Sequence, residues 1–269
     1  MKFLNHFLGL LLLLSLAGFS QAADKEFPGR DIYLGTKYIE IDAFKNQFDQ
    51  VIVVDVRSKY EYETLRIKDA KNIPLNSRKF VTQMRELRAN NQDKKIVVYC
   101  NGKTCMKSYK AASKAKARGI TDVVAFDAGI MDWAKAHPDK AVLLGRSPID
   151  PSKLIAKSRF KEHLVAPEKF AEMVQNDNVA VLDVRDRYQR MGMGLFVGAE
   201  QQANLDDDSI NEHIKRSVAG NKTMLIYDEA GKQVRWLMYR LEAAGVSDYK
   251  FMKGGTRGYF KNLKKRLNI

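Results

Sequence analysis

Two cysteines five positions apart, Cys100 and Cys105, are the only thiols in a chain of 269 residues. A disulfide scaffold spreads its cysteines so that bridges close long loops, whereas a pair confined to one short segment points to chemistry. Cys100 closes the β-branched run Lys95-Ile96-Val97-Val98-Tyr99. It precedes a stretch from Ser108 to Arg118, rich in Ala and Lys, that reads as a helix ended by Gly119. A loop between a buried parallel strand and a helix can turn its backbone N–H groups inward, and the helix adds its positive end. Such donors stabilise a thiolate and bind an anion beside it, which is what a reactive cysteine needs. Cys100 is therefore the candidate nucleophile. Asn101, Gly102, Lys103, Thr104, Cys105, Met106 and Lys107 form the candidate substrate cradle, in which Gly102 permits a tight backbone and Lys103 and Lys107 add positive charge. The plain alternative is an inert buried cysteine at a strand end.

The elements around this loop alternate between strand and helix periods. Val51-Ile52-Val53-Val54 closes on Asp55, and Asp122-Val123-Val124-Ala125-Phe126 follows the cysteine helix. Continuous apolar strands separated by helices predict a parallel sheet covered on both faces. The same order then returns. Val179-Ala180-Val181-Leu182 closes on Asp183, Met224-Leu225-Ile226-Tyr227 closes on Asp228, and a helix through Leu237 to Ala244 ends at Gly245. Asp55-Val56-Arg57 and Asp183-Val184-Arg185 lie 128 residues apart, as do Cys100 and Asp228, while Gly119 and Gly245, and Gly129 and Gly255, lie 126 apart. A fixed period marks an internal duplication in which the first copy's loop is two residues longer. Expected boundaries are 30–145 for the first domain, 146–158 for a linker interrupted by Pro148 and Pro151, and 159–269 for the second domain.

Both halves resemble rhodanese domains, the thiosulfate sulfurtransferase family. In the first copy the resemblance is carried by Asp55-Val56-Arg57, by Glu61-Tyr62-Glu63, and by Ile67-Lys68-Asp69-Ala70-Lys71-Asn72-Ile73-Pro74. It continues through Val97-Val98-Tyr99-Cys100 and Ala128-Gly129-Ile130-Met131-Asp132-Trp133, with Ala128 in place of the first glycine of a Gly-Gly pair. The resemblance implies two tandem α/β domains and a sulfur relay. The Cys100 thiolate would take the outer sulfur of a small anionic donor such as thiosulfate, become a persulfide, and pass the sulfur to a thiol, protein or cyanide acceptor without a cofactor. The family's usual loop places an arginine five residues after the cysteine and then a serine. Here Cys105 takes that distance and Lys107-Ser108 ends a longer loop, so the cradle is wider and lacks a bidentate cation. Cys105 could resolve a persulfide or form a regulatory disulfide with Cys100, or it could simply pack against the helix. In the second copy Asp228 occupies the nucleophile position. A carboxylate there cannot form a persulfide and would repel an anionic donor, so this domain is expected to be non-catalytic.

Composition bounds the remaining readings. The balance of 46 Lys+Arg against 32 Asp+Glu gives a formal charge of +14, a field that draws anions. The basic residues are scattered and lack the stacking aromatics of a nucleic-acid stripe, so no nucleic acid is expected as partner. His6, His137, His163 and His213 have no metal-ligand spacing with the cysteines, so no metal is expected. Asp206-Asp207-Asp208 reads as a loop or helix start, Trp133, Trp236 and Tyr259 as core, and Asp55 with Arg57 as a structural ion pair. Lys2, the apolar run from Phe7 to Phe19 and Ser20-Gln21-Ala22 have the grammar of a secretory signal over residues 1–22. Export to the periplasm follows as the expectation, with membrane contact only through that segment, which is too short to span a bilayer. Two other function classes stay open: thiol-dependent oxyanion reduction or phosphatase chemistry, and a non-catalytic sulfur-carrier or partner-binding module.

Overall fold

A computed structural model describes residues 26–190, 194–205 and 207–268, and the signal-like segment 1–22 lies outside them. The first half runs α1 (Pro28–Ile32), α2 (Ile41–Asn46), β1 (Ile52–Asp55), α3 (Lys59–Thr64), β2 (Leu65–Ile67), β3 (Lys71–Asn72) and α4 (Phe80–Ala89). It continues with β4 (Ile96–Tyr99), α5 (Lys107–Lys116), β5 (Val123–Phe126), α6 (Gly129–Ala136) and β6 (Ala141–Leu143). The second half runs α7 (Lys157–Glu162), β7 (Leu164–Val165), α8 (Pro167–Val174), β8 (Val179–Asp183) and β9 (Glu200–Gln202). It ends with α9 (Asp207–Ala219), β10 (Thr223–Tyr227), α10 (Val234–Ala243), β11 (Tyr249–Met252) and α11 (Gly255–Leu267).

The two main sheets share one plan. The first has the order β3-β1-β4-β5 and the second, read in the same sense, β9-β8-β10-β11-β7. Every ladder in both is parallel. A parallel bridge from Tyr38 to Ala125 takes the place beside β5 that β7 takes beside β11. The first half adds an antiparallel ribbon of β2 and β6. This is the α/β class expected of strands apolar on both faces: all four residues of β4 are buried, and so are four of the five in β10.

The central strands place both candidate loops at their carboxyl ends. In one half α2 and α6 cover the sheet through Phe44, Phe48, Phe126 and Trp133, whose rings pack with centroids 4.4 to 5.8 Å apart. On its other face α5 lays Ala111, Ala112 and Ala115 against Ile96 and Val98. Small side chains there let the helix approach closely, which fixes where its N-terminus meets the loop.

The halves touch each other through α3 and α10. Trp236 of α10 lies 5.0 Å beneath the Arg57 guanidinium, and the Arg240 guanidinium lies over the Tyr60 ring. The connecting segment is pinned by buried Ile149 and Ile155, and the Ile155 N–H donates to the Tyr239 hydroxyl at 3.0 Å. Trp133 and Trp236 are core, whereas Tyr259 is only half-buried beside Phe196. α9 begins at Asp207, in keeping with a helix start at the acidic run. No helix among the described residues is long and apolar enough to cross a membrane.

Candidate functional site

The loop after β4 is held from below by a buried ion pair. Asp55 ends β1, and its carboxylate accepts from the Arg57 N–H and from its guanidinium at 2.6 to 3.1 Å, with both side chains fully buried. The same local geometry recurs at Asp183 and Arg185, at 2.7 to 3.0 Å. Two residues separate the charges in sequence, so the strand end curls and the arginine folds back on it. The Asp-x-Arg pair is thus a structural brace in both copies.

From this brace a polar chain climbs to the loop. Arg57 Nη1 donates to Asn101 Oδ1 at 3.1 Å, and Asn101 Nδ2 donates to Glu61 Oε1 at 2.8 Å. Asn101 therefore turns its amide inward and clamps the loop. Glu61 closes a capping box with Ser58 at the start of α3, and Gln233 of the second half reaches both of them. Although burial pushes Glu61 up, Arg57, Lys107 and its hydrogen bonds hold its carboxyl below the usual range. Glu61 and Gln233 are positioning residues that the sequence reading did not single out. The Ser-x-x-Glu spacing of the capping box was the available signal for the first.

From above, α6 presses on the loop. Gly129 has φ +69°, and a Cβ there would lie 2.4 Å from Gly102 N and 2.7 Å from the Cys100 carbonyl oxygen. Only glycine fits, and the Ile130 N–H then donates to that carbonyl at 3.0 Å. Gly255 repeats the arrangement against Asp228, with the Thr256 N–H donating to the Asp228 carbonyl at 2.9 Å.

The two thiols within this frame differ. Cys100 is fully buried; its thiol donates to the Cys105 carbonyl at 3.1 Å and lies 3.8 Å from the Ser108 hydroxyl oxygen. Burial pushes the Cys100 thiol well up, and the hydrogen bond and charge of Cys105 push the same way. Cys105 is half-buried, and its interaction with the Cys100 side chain brings its thiol down to about 6. Burial opposes that shift, while the backbone N–H groups of Lys107 and Asn101 and the Lys107 charge support it. The inward-turned donors were expected to serve Cys100; in this resting geometry they serve Cys105. The extra length of the loop lets a second sulfur reach the donors, one residue before the cap of α5, where the helix's positive end favours a thiolate.

The lysines are less free than their positions suggested. Lys103 is paired with Glu26 and lies 3.4 Å from Asp132, and Lys107 Nζ is 4.0 Å from Glu61. In front of the loop lies an open cavity of about 300 Å³. Asn101, Gly102, Lys103, Thr104 and Cys105 line it, with Ala128, Met131 and Asp132 opposite. Cys105 faces this space; Cys100, Met106 and Lys107 do not line it. Among the described residues no group of three or more His, Cys, Asp or Glu could hold a metal ion.

The equivalent loop of the second half is closed by its own carboxylate. Asp228 is buried; Oδ1 accepts from the N–H groups of Ala230 and Gly231, and Oδ2 from those of Lys232, Gln233 and Val234. Asp228 was expected to be unable to form a persulfide and to repel an anionic donor; in addition, it occupies the anion position itself, satisfying the donors that an oxyanion would otherwise take.

Residues 40–136 match the family model described as the rhodanese-like domain. The tRNA uridine(34) hydroxylase of Citrobacter koseri is 27% identical over 158 residues, 58% of this chain and 41% of that protein, so the chain spans about two fifths of that relative's length. Among solved structures, a thiosulfate sulfurtransferase of Pseudomonas aeruginosa is 11% identical, with TM-score 0.34, covering 88% of this chain and 68% of that one. A rhodanese-like domain protein of Staphylococcus aureus is 30% identical, with TM-score 0.30, covering 36% of this chain and 91% of that one.

Proposed function

We propose that this chain, whose first domain belongs to the rhodanese-like family, is an exported sulfurtransferase that carries sulfane sulfur as a persulfide on Cys100. The observation that carries the reading is the loop itself. A strand-end thiol donates to the carbonyl of the residue that carries a second thiol, both precede the N-terminus of α5, and Cys105 opens to a cavity. Donor sulfur would be taken by displacement at its outer sulfur and released to a thiol or cyanide acceptor, with no cofactor. Lys103 is paired and the Asp132 carboxylate stands on the cavity wall, so the attraction for a dianionic donor, polysulfide and thiosulfate alike, is weakened, and a singly charged small persulfide is the donor least opposed. Export rests on the signal-like residues 1–22. The second domain, with Asp228 filling its loop, acts as a scaffold that sets Gln233 against Ser58 and Glu61.

The test is direct. Protein incubated with polysulfide or thiosulfate, freed of donor and weighed intact should gain the mass of one sulfur atom. Peptide mapping should place it on Cys100, and cyanide should remove it as thiocyanate. No sulfur gain with either donor would overturn the reading.

A further inference from the structure

We propose that Cys105 is a second catalytic thiol, the one that meets the donor, and that sulfur reaches Cys100 only by passing through it. This rests on the reading of Cys100 as the carrier. The geometry separates the two roles. Cys100 has no exposed surface and does not line the cavity, whereas Cys105 is half-buried and forms part of the cavity wall. A donor in the cavity therefore touches Cys105 before it can touch Cys100. The Cys100 thiol already donates to the Cys105 carbonyl at 3.1 Å, so the two residues are in contact and no further carrier is needed between them.

The chemistry balances in two displacements. In the first, the Cys105 thiolate attacks the outer sulfur of a polysulfide; the new S–S bond forms as the donor's own S–S bond breaks, and the shortened polysulfide leaves with the electron pair. In the second, the Cys100 sulfur attacks the outer sulfur now on Cys105. The Cys100–S bond forms, the bond to Cys105 Sγ breaks, and Cys105 leaves as a thiolate. The proton of Cys100 passes to the transferred sulfur. The sulfane sulfur keeps its oxidation state throughout, so no oxidant or reductant is consumed.

The order of acidities gives the relay its direction. A thiol near 6 is ionised at neutral pH and is also a good leaving group, whereas a sulfur of high basicity is a strong nucleophile and a poor leaving group. The charge on Cys105 is one of the causes that hold Cys100 protonated. When Cys105 takes up sulfur, its charge moves from Sγ to the outer sulfur, the atom that receives the Cys100 proton in the second displacement. Release to an acceptor follows the same path in reverse, because the acceptor meets the same cavity.

Rapid mixing with polysulfide, quenching and peptide mapping test the proposal on the full chain. In Cys100→Ser, sulfur should load and stay on Cys105. In Cys105→Ser and Cys105→Ala, loading of Cys100 should slow by ~100-fold or more, because the buried thiol must wait for the loop to open. A circular dichroism melt checks that each variant is folded. Wild-type loading rates in folded Cys105 variants, or no sulfur on Cys105 in folded Cys100→Ser, would overturn the relay while leaving the Cys100 carrier standing. Wild-type protein that gains no sulfur at all would instead remove the carrier reading on which the relay rests.

Discussion

Replacing Asp228 by alanine removes an acceptor that serves five backbone donors at once. Its oxygens accept from Ala230 at 3.0 Å, Lys232 at 2.9 Å, Gln233 at 2.5 Å and Val234 at 3.2 Å, and from Gly231. A hydrogen bond to a charged group contributes about 1.5–3 kcal/mol, and five such terms do not add. Residues 230–232 are half-buried or exposed, so water can reach part of the vacated cradle, whereas Val234 is fully buried. The expected destabilisation is therefore ~3–5 kcal/mol, the range for losing a buried charged partner. Asp228→Asn keeps the shape but turns an NH2 group towards three donors and should cost about 2–4 kcal/mol. Urea unfolding followed by fluorescence of Trp236, which sits on the helix that the loop leads into, measures both. Added sulfate should rescue Asp228→Ala more than wild type, because the general stabilising effect of the salt acts on both proteins while only the variant offers an unfilled cradle. A loss below ~0.5 kcal/mol, or equal sulfate response in the two proteins, would refute the reasoning.

Three further outcomes follow from the same geometry. Gly129→Ala must push the α6 start away from Gly102 and the Cys100 carbonyl, so it should cost ~2–4 kcal/mol by urea unfolding and disable sulfur loading; a stable, active variant would contradict the clamp. Alkylation of Cys105 by iodoacetamide should rise with pH through about 6 and level off above it, with Cys100 modified later; a midpoint in the ordinary thiol range would contradict the donor set around Cys105. Glu61 is held below its unfolded value, so the stability it contributes is present above the ordinary carboxylate range and is lost as pH falls through its lower folded value. The pH dependence of stability in Glu61→Gln should flatten in that acidic window, and an unchanged profile would deny the carboxylate its role.

The architecture was legible because duplication leaves marks that survive divergence. Apolar strands end on Asp55, Cys100, Asp183 and Asp228, and the glycines at 129 and 255 are forced by backbone contacts that no other residue tolerates. Asp-x-Arg was legible because opposite charges two residues apart at a strand end lie within reach of each other. The interior of the Cys100 loop was less so. Loop length shows that the cradle is wider, but not which sulfur faces the cavity and which is buried, since that depends on how the loop backbone folds over Cys100. The way Asp228 fills its own loop was not legible, because a carboxylate's charge does not show which backbone N–H groups will turn to it. Contacts between the halves, such as Gln233 with Ser58, join residues 175 apart and leave no periodic trace.

The Asp228 loop can also be seen as a binding site whose ligand is covalently tethered. A tether of one side chain gives an effective concentration far beyond any free solute, so no anion in the surroundings competes and the occupancy never changes. A site that is always full reports nothing and varies with nothing. That constancy suits the half of the molecule that braces Glu61 through Gln233, and it confines every response to donor supply to the other loop, where the occupant is a thiol that can be converted and restored.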